Sequence, residues 1–243
     1  MPLCAVGNVG QLACDLLIST LLHRGECKLV GRIYSPALMS VVGPNAYDKD
    51  GPPTTSTEVY ESEKHKLVII QQRTSYLKNL RHVYIEELVE WIKDSLFESV
   101  IVLSSSFAQC NPDISQLGDI HSSSIRSITT SLFQTEASQI YPSWQSLNVK
   151  PLPDRRNIKV VRDGLSFLPG SGITKPLIKA FEKASICAAF LINFCSEGIN
   201  IQDSYEVAEL VDRLLNMRLS NGIGSEKQAG WVEPYSWIQA AEN

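Results

Sequence analysis

The chain has 243 residues, of which 44% are hydrophobic and 20% are charged. This composition is typical of globular proteins and excludes a disordered, collagen-like or coiled-coil chain. The 22 basic and 26 acidic residues give a formal net charge of -4. There is no basic excess to neutralise phosphates, so nucleic acid is not expected as a partner.

The N-terminal sequence MPLCAVGNVGQL lacks a basic segment followed by a long apolar stretch, so a signal peptide is not expected. No apolar run reaches the ~18 residues that span a bilayer, so no membrane partner is expected. The six cysteines form no CxxC pair, the close spacing that zinc sites usually require. We expect reduced, buried thiols in a soluble protein inside the cell, with no metal.

The first half of the sequence alternates predicted strands and helices. A strand at 2–6 breaks at Gly7. Only six residues precede Gly7, so this strand is expected to be short. Apolar residues at helical spacing from Val9 to Leu21 predict the first helix. Later elements are strands at 28–34 and 38–42, a polar loop at 47–57, and a hairpin of 58–61 with 67–72.

The second half begins with an amphipathic helix at 82–97 and the apolar run VIVL at 100–103, which predicts a strand buried on both faces. The stretch 104–154 is irregular, and short helices with long loops are expected there. A helix at 173–183 and a second apolar strand at 186–194 follow. Asp203 and Glu206 predict a capping box that opens the last long helix.

These alternating elements predict an α/β fold, a three-layer α/β/α sandwich with a mixed sheet. No proline- or glycine-rich break separates two cores, so one domain is predicted at 1–219. Residues 220–243 are predicted to form a linker and a C-terminal segment that contains Trp231 and Trp237. These tryptophans either fold back onto the domain or dock on a partner, because tryptophan is enriched among interface hot spots.

Two glycine-containing turns are candidate anion sites, since each precedes a predicted helix. The first is Gly7-Asn8-Val9-Gly10, and the second is Pro169-Gly170-Ser171-Gly172. Neither has the spacing of a dinucleotide or P-loop motif. A tight turn that needs the backbone freedom of glycine is the favoured interpretation of both.

Ser104-Ser105-Ser106 follows a predicted strand, where open α/β sheets bind ligands. A catalytic serine would require a G-x-S-x-G elbow and a histidine–acid pair, and the flanking glycines are missing. The serines are therefore expected to bind backbone groups. A basic cluster between Asp154 and Arg162 is interpreted as a solvated face or as a rim for an acidic protein partner. No catalytic, cofactor-binding or metal-binding residue is assigned.

Five motifs occur in order along the chain: VGNVGQLACDLLIST, VVGPNAY, VIVLSSS, PGSGITKPL and FCSEGIN. With the final WVEPYSW they resemble the proteasome assembly chaperone (PAC2) family over nearly the whole chain. The match is poor only from about residue 107 to 163. The resemblance implies a fold similar to nucleoside phosphorylases and hydrolases, which supports architecture alone.

The resemblance further implies a non-catalytic chaperone of the cytoplasm and nucleus. As a heterodimer with proteasome assembly chaperone 1, it would promote assembly of the α-subunit ring of the 20S proteasome. The last residues, Ala241-Glu242-Asn243, lack the hydrophobic-Tyr-any ending that some members insert between α subunits, so no tail insertion is expected. The alternatives are a phosphorylase-like small-molecule enzyme and a scaffold protein unrelated to the proteasome.

Overall fold

The computed structural model describes residues 1–111, 124–152, 167–220 and 230–242, without the side chains of 138 and 239–242. The helices within these ranges are α1 (Val9–His23), α2 (Arg81–Asp94), α3 (Ser131–Ile140), α4 (Thr174–Lys183), α5 (Ile201–Leu215) and α6 (Tyr235–Glu242). The strands are β1 (Lys28–Arg32), β2 (Val42–Gly43), β3 (Thr54–Thr55), β4 (Thr57–Ser62), β5 (Leu67–Gln72), β6 (Val100–Phe107), β7 (Ile125–Thr129) and β8 (Ala188–Cys195).

Two three-stranded sheets form the centre of the molecule. One is antiparallel, in the order β1-β4-β5, and a two-residue pair β2-β3 stands apart from it. The other has the order β6-β8-β7, with β6 parallel and β7 antiparallel to β8. The predicted mixed α/β architecture is therefore confirmed, but the predicted single sheet is divided between β5 and β6.

Helices cover both faces of the strands. Leu103 and Leu191 point into a core that they share with α1 and α5. Their neighbours Val102 and Phe190 point into a second core, shared with α2 and α4. Alternate residues of β6 and β8 thus enter opposite cores, as the side-chain period of a strand requires. This is why both strands are apolar throughout their central residues.

The hairpin of β4 and β5 and helices α1, α2 and α4 form where the sequence predicted them. The strand predicted at 38–42 is wrong. Leu38 makes only an isolated bridge with Tyr76, and the extended pairing that follows is limited to β2. The intervening backbone binds a side chain instead: Ser56 Oγ donates to Met39 O and accepts from Val41 N.

The predicted capping box is also wrong. Helix α5 begins at Ile201, so Asp203 and Glu206 lie inside it. Asn200 occupies the N-cap position without a side-chain capping bond, because its amide is used by neighbouring loops, as described below. Asp203 in the first turn accepts a hydrogen bond from Asn193 Nδ2 at 3.3 Å.

Part of the stretch predicted to be irregular is regular. Helix α3 agrees with the expected short helices, but strand β7 was not predicted. Its sequence IRSIT has Arg126 at the second position, a residue type that argues against a buried strand, yet Arg126 is only 1% exposed. Burial by neighbouring elements therefore overrides the local pattern here.

The C-terminal segment packs on the α1–α5 face of the core. Trp231 and Trp237 are both buried there, which favours the fold-back interpretation of the tryptophans. Val232 N donates to Thr20 Oγ1 at 3.0 Å, and Tyr205 donates to Glu233 at 2.8 Å. The division into 1–219 and 220–243 stays a prediction, because 221–229 lie outside the described residues.

Across the ranges given above, no helix is both long enough and apolar enough to cross a membrane.

Candidate functional site

The carboxyl ends of β6 and β8 are the place where an open α/β sheet usually binds a ligand. Three features singled out in the sequence meet there: the turn at Gly7, the serines 104–106 and the turn 169–172. The loop 196–200, which follows β8, closes the group. This cluster of turns is the first candidate site.

The Gly7 turn is closed by protein atoms. Gly7 has φ +70°, and a Cβ atom there would lie 2.5 Å from Asn200 Nδ2 and 2.8 Å from Cys195 Sγ. Asn200 Nδ2 lies at hydrogen-bond distance from the carbonyl oxygens of Gly7, Ser196 and Gly198, at 3.3, 3.1 and 2.9 Å. The space that an anion would occupy beside the turn therefore holds the amide of Asn200. The tight-turn interpretation of this motif is the one that the geometry favours.

Gly10 has a different structural role from Gly7. It lies within α1 and is not among the described residues with positive φ. A Cβ atom at Gly10 would lie 2.9 Å from the carbonyl oxygen of Leu103. The absence of a side chain at Gly10 thus allows α1 to pack closely against β6. Of Gly7 and Gly10, only Gly7 has the positive φ that a tight turn was expected to require.

The second turn, Pro169–Gly172, also has a structural role. Gly170 and Gly172 have φ +77° and +60°. Val6 N donates to Gly170 O at 2.8 Å, and a Cβ atom at Gly172 would clash with the carbonyl oxygen of Cys4. The turn therefore holds the N-terminal segment against the sheet.

The three serines use their hydroxyl groups in structural bonds. Ser104 Oγ lies 2.7 Å from Thr174 Oγ1, Ser105 donates to Val6 O, and Ser106 donates to Pro169 O at 2.8 Å. All three serines are at most 2% exposed. No histidine occurs among these contacts, so the arrangement does not activate a nucleophile. Ser105 and Ser106 bind backbone groups as the sequence predicted, whereas Ser104 binds a side chain.

We expect Ser104→Ala to lower the free energy of unfolding by only about 1 kcal/mol, the usual contribution of one hydrogen bond. Thr174 Oγ1 keeps its bond to Ser171 O at 2.6 Å, so no polar group is left without a partner. Urea denaturation of the variant and the parent chain measures the difference. A loss above about 3 kcal/mol would mean that the hydroxyl does more than join β6 to α4.

Metal-binding and acid–base groups do not converge on this site. Over the described part of the chain, no group of three or more His, Cys, Asp and Glu side chains could hold a metal ion. His65 pairs with Glu26 at 2.8 Å, and His121 lies outside the described residues. The basic cluster between Asp154 and Arg162 also lies outside them.

Among the described residues, the largely buried ion pair of Asp15 with Arg73 is a charged contact that the sequence analysis missed. Arg73 donates to both oxygens of Asp15, at 2.7 and 3.1 Å, and the Tyr47 hydroxyl donates to Asp15 Oδ1 at 2.7 Å. Burial, together with the charge of Asp15, raises the pKa of Tyr47 well above its ordinary value. The pair joins α1 to the strand end after β5 and to the loop that carries Tyr47. A lone Asp in the apolar helix sequence LACDLLIST was the available signal.

Burial raises the pKa of five cysteine thiols to about 11: Cys4, Cys14, Cys27, Cys187 and Cys195. A raised pKa keeps a thiol protonated, so about one molecule in a thousand carries the reactive thiolate at pH 8. We expect these thiols to react with iodoacetamide at pH 8 at least about 100-fold more slowly in the folded than in the urea-unfolded chain. Peptide mass spectrometry measures each rate. Rapid labelling of Cys14 or Cys195 in the folded chain would contradict the described burial.

Exposed apolar side chains are concentrated on and after the open edge of β1. We call these residues the β1 apolar strip; its members are Val30, Tyr34, Met39, Val41 and Val42. Tyr34 is 82% exposed and Val42 is 74% exposed. Ala37 and Leu38, which lie between Tyr34 and Met39 in the sequence, are buried and attach this segment to the core. Five exposed apolar side chains within thirteen residues favour a protein interaction site at this segment.

Comparison with known proteins identifies the family to which this chain belongs. The family model described as "PAC2 family" matches residues 1–220. The chain belongs to the PAC2 family. Proteasome assembly chaperone 2 of Nematostella vectensis is 35% identical over 231 residues, which cover 92% of this chain and 91% of the relative. The mouse and human proteins of that name are each 33% identical over 244 residues, covering 98% of this chain and 88% of the relative.

Solved structures support the PAC2-family fold. Pyrococcus furiosus PbaA, an archaeal homologue of proteasome-assembly chaperone, matches with a TM-score of 0.61 and 20% identity over 88% of this chain and 75% of that one. A Thermoplasma acidophilum protein of unknown function matches with a TM-score of 0.64 and 10% identity, over 91% and 76%. At these identities the likeness shows the fold alone.

Proposed function

We propose that this PAC2-family chain is a non-catalytic assembly chaperone of the 20S proteasome. It acts as a heterodimer with proteasome assembly chaperone 1 and promotes formation of the α-subunit ring. The observation that carries this proposal is the 33–35% identity, over nearly the whole chain, to relatives named proteasome assembly chaperone 2.

The geometry at the carboxyl ends of the strands supports a role without catalysis. The serine hydroxyls are bonded to Thr174 and to backbone carbonyls, and Asn200 fills the space beside Gly7. A phosphorylase-like enzyme, the alternative suggested by a nucleoside phosphorylase-like fold, would need an anion pocket at this turn. Calorimetry with nucleosides and phosphate separates the two functions: the chaperone gives no saturable heat, and a micromolar one-to-one isotherm supports the enzyme.

The β1 apolar strip supports a role in protein binding. Interface cores are depleted in charge and enriched in aromatic residues and methionine, and the strip combines Tyr34 and Met39 with three valines. Its backbone is fixed by the bonds of Ser56 to Met39 and Val41, so little ordering is needed when a partner binds. We therefore assign the strip to the heterodimer contact.

Co-expression with the sister chaperone tests the pairing. We expect a one-to-one complex in size-exclusion chromatography with light scattering, and we expect Tyr34→Ser with Val42→Ser to weaken it at least about tenfold. Leu96→Ser is the matched control, since Leu96 is 88% exposed at the end of α2, away from the strip. A chain that stays monomeric beside the sister chaperone contradicts the pairing; equal effects of both variants contradict the assigned contact.

We further propose that the chain works in the cytoplasm and the nucleus, where proteasomes would be assembled with its help. Imaging of a fluorescent fusion should show both compartments. Confinement to an organelle bounded by a membrane would contradict this proposal.

A further inference from the structure

Ser35 and Pro36 form the only Ser-Pro or Thr-Pro dipeptide in the sequence. They lie inside the β1 apolar strip, directly after its most exposed member, Tyr34. Pro36 is exposed and Ser35 is half-buried. Proline-directed protein kinases recognise a serine followed by proline, because proline leaves no backbone N–H without an acceptor in their substrate groove. The sequence thus has one position for a kinase of this class, and it lies on the surface assigned to partner binding.

A β-turn holds the serine hydroxyl at the surface. Leu38 N donates to Ser35 O at 3.1 Å, and proline occupies the second position of this turn, which its fixed φ favours. Ser35 Oγ accepts a hydrogen bond from Ala37 N at 3.1 Å and donates to Glu87 Oε2 of α2 at 2.5 Å. The bond to Glu87 is exposed to solvent. The turn accounts for the proline, and the hydroxyl joins the strip to α2.

Helix α2 presents negative charge to this hydroxyl. Glu86, Glu87 and Glu90 are all exposed, and Glu90 is a helical neighbour of Glu87 at a spacing of three residues. A phosphate on Ser35 carries a charge of about −1.5 to −2 at pH 7, and it cannot donate to Glu87 as the hydroxyl does. The modification therefore replaces a hydrogen bond by the repulsion of two anions.

The contact of Ser35 with α2 lies beside the residues that hold the strip on the core. Ala37 and Leu38 are buried in the core that contains Tyr84 and Leu88 of α2. Repulsion between a phosphate on Ser35 and α2 acts against this packing. The β1 apolar strip then loses the fixed backbone that favours binding of a partner.

We propose that Ser35 is the acceptor of a proline-directed serine kinase and that its phosphorylation releases the β1 apolar strip from α2. The kinase transfers the γ-phosphoryl group of ATP: a bond forms between Ser35 Oγ and phosphorus, the bond from phosphorus to the β-phosphate oxygen breaks, and ADP leaves. The hydroxyl proton passes to the catalytic base of the kinase. The modification and the release concern the chain alone; their consequence, a weaker heterodimer, rests on the proposed function.

Phosphorylation of the purified, folded chain tests the first half of the proposal. The probes are a cyclin-dependent kinase and a mitogen-activated kinase, each with ATP, and peptide mass spectrometry locates the phosphate. We expect phosphate on Ser35, and at least about tenfold slower modification in Pro36→Ala, because the N–H of alanine finds no acceptor in the kinase groove. Ser35 left unmodified by both kinases, or modified equally fast in Pro36→Ala, would overturn the proposal.

Hydrogen exchange tests the release from α2. Ser35→Glu carries a charge and Ser35→Gln is its neutral control, and both lose the hydroxyl. We expect the amides of Ala37 and Leu38 to exchange at least about threefold faster in Ser35→Glu than in Ser35→Gln at low salt, and at least about tenfold faster in the phosphorylated chain. Adding Glu87→Gln to Ser35→Glu should remove the difference. Equal exchange in Ser35→Glu and Ser35→Gln would overturn the release.

Binding to the sister chaperone separates this inference from the proposed function. We expect the phosphorylated chain to bind it at least about tenfold more weakly than the unmodified chain. Equal binding of both forms would contradict control by the phosphate. If the unmodified chain does not pair, the proposed function fails, while the phosphorylation site and the release stand or fall by the two measurements on the chain alone.

Discussion

Replacing Asp15 by Ala should lower the free energy of unfolding by about 3–5 kcal/mol, the usual cost of leaving one member of a buried ion pair without its partner. The change leaves the partly buried guanidinium of Arg73 without its carboxylate and the Tyr47 hydroxyl without its acceptor. Asp15 is only 5% exposed and the Arg73 side chain 21%, so water replaces the lost carboxylate only in part. Denaturation in urea, with the parent chain measured alongside, gives the difference.

Two control variants test whether the loss of stability arises from leaving a buried charge without its partner. Glu63→Ala breaks the exposed pair with Lys28 and should leave the free energy of unfolding nearly unchanged. Asp15→Leu combined with Arg73→Met removes both charges, and we expect it to recover most of the loss. A double variant as unstable as Asp15→Ala would show that packing, rather than the unpaired charge, controls the effect.

Replacing Gly10 by Val should cost about 3 kcal/mol and lower Tm by about 6–12 °C, whether or not the sister chaperone is bound. The new side chain must enter a space where a Cβ atom alone lies 2.9 Å from Leu103 O and 3.1 Å from Leu103 Cβ. Backbone atoms of a central strand cannot move aside without disturbing β6. Differential scanning fluorimetry, with and without the partner, measures the shift.

Gly31→Val is the matched control for this substitution. Gly31 lies in β1, and a Cβ atom there meets nothing within 4 Å, so the same change of residue adds no clash. We expect its Tm to stay within about 2 °C of the parent value. An unchanged Tm in Gly10→Val would require the helix–strand contact to be looser than described.

The sequence predicted the elements whose apolar residues follow the regular spacing of a buried helix or strand face. Strand β8 is buried at every position, and its apolar run made it recognisable. Strand β7 escaped prediction because the buried Arg126 interrupts its apolar pattern. The start of α5 was misplaced because the Asn200 amide binds the carbonyl groups of Ser196, in its own loop, and of Gly7, in a distant turn, and local capping rules do not contain that tertiary contact.

For the candidate site, the missing glycines around Ser104–Ser106 and the spacing of Gly7 and Gly10 favoured structural roles, and the described contacts of these residues are structural ones. The ion pair of Asp15 with Arg73 joins residues 58 positions apart, so no short motif reveals it. The β1 apolar strip was also not predicted. Val41 and Val42 are apolar and β-branched, which favours a buried strand, yet their side chains are exposed.

The role in proteasome assembly is tested most directly by following α subunits in cells that lack the chain. Native electrophoresis and mass spectrometry should show fewer complete α rings, more free α subunits and fewer 20S particles, and re-expression of the parent chain should restore all three. The double variant Tyr34→Ser with Val42→Ser should restore them poorly, and Leu96→Ser should restore them fully. Unchanged amounts of α rings and 20S particles in cells without the chain would contradict the account.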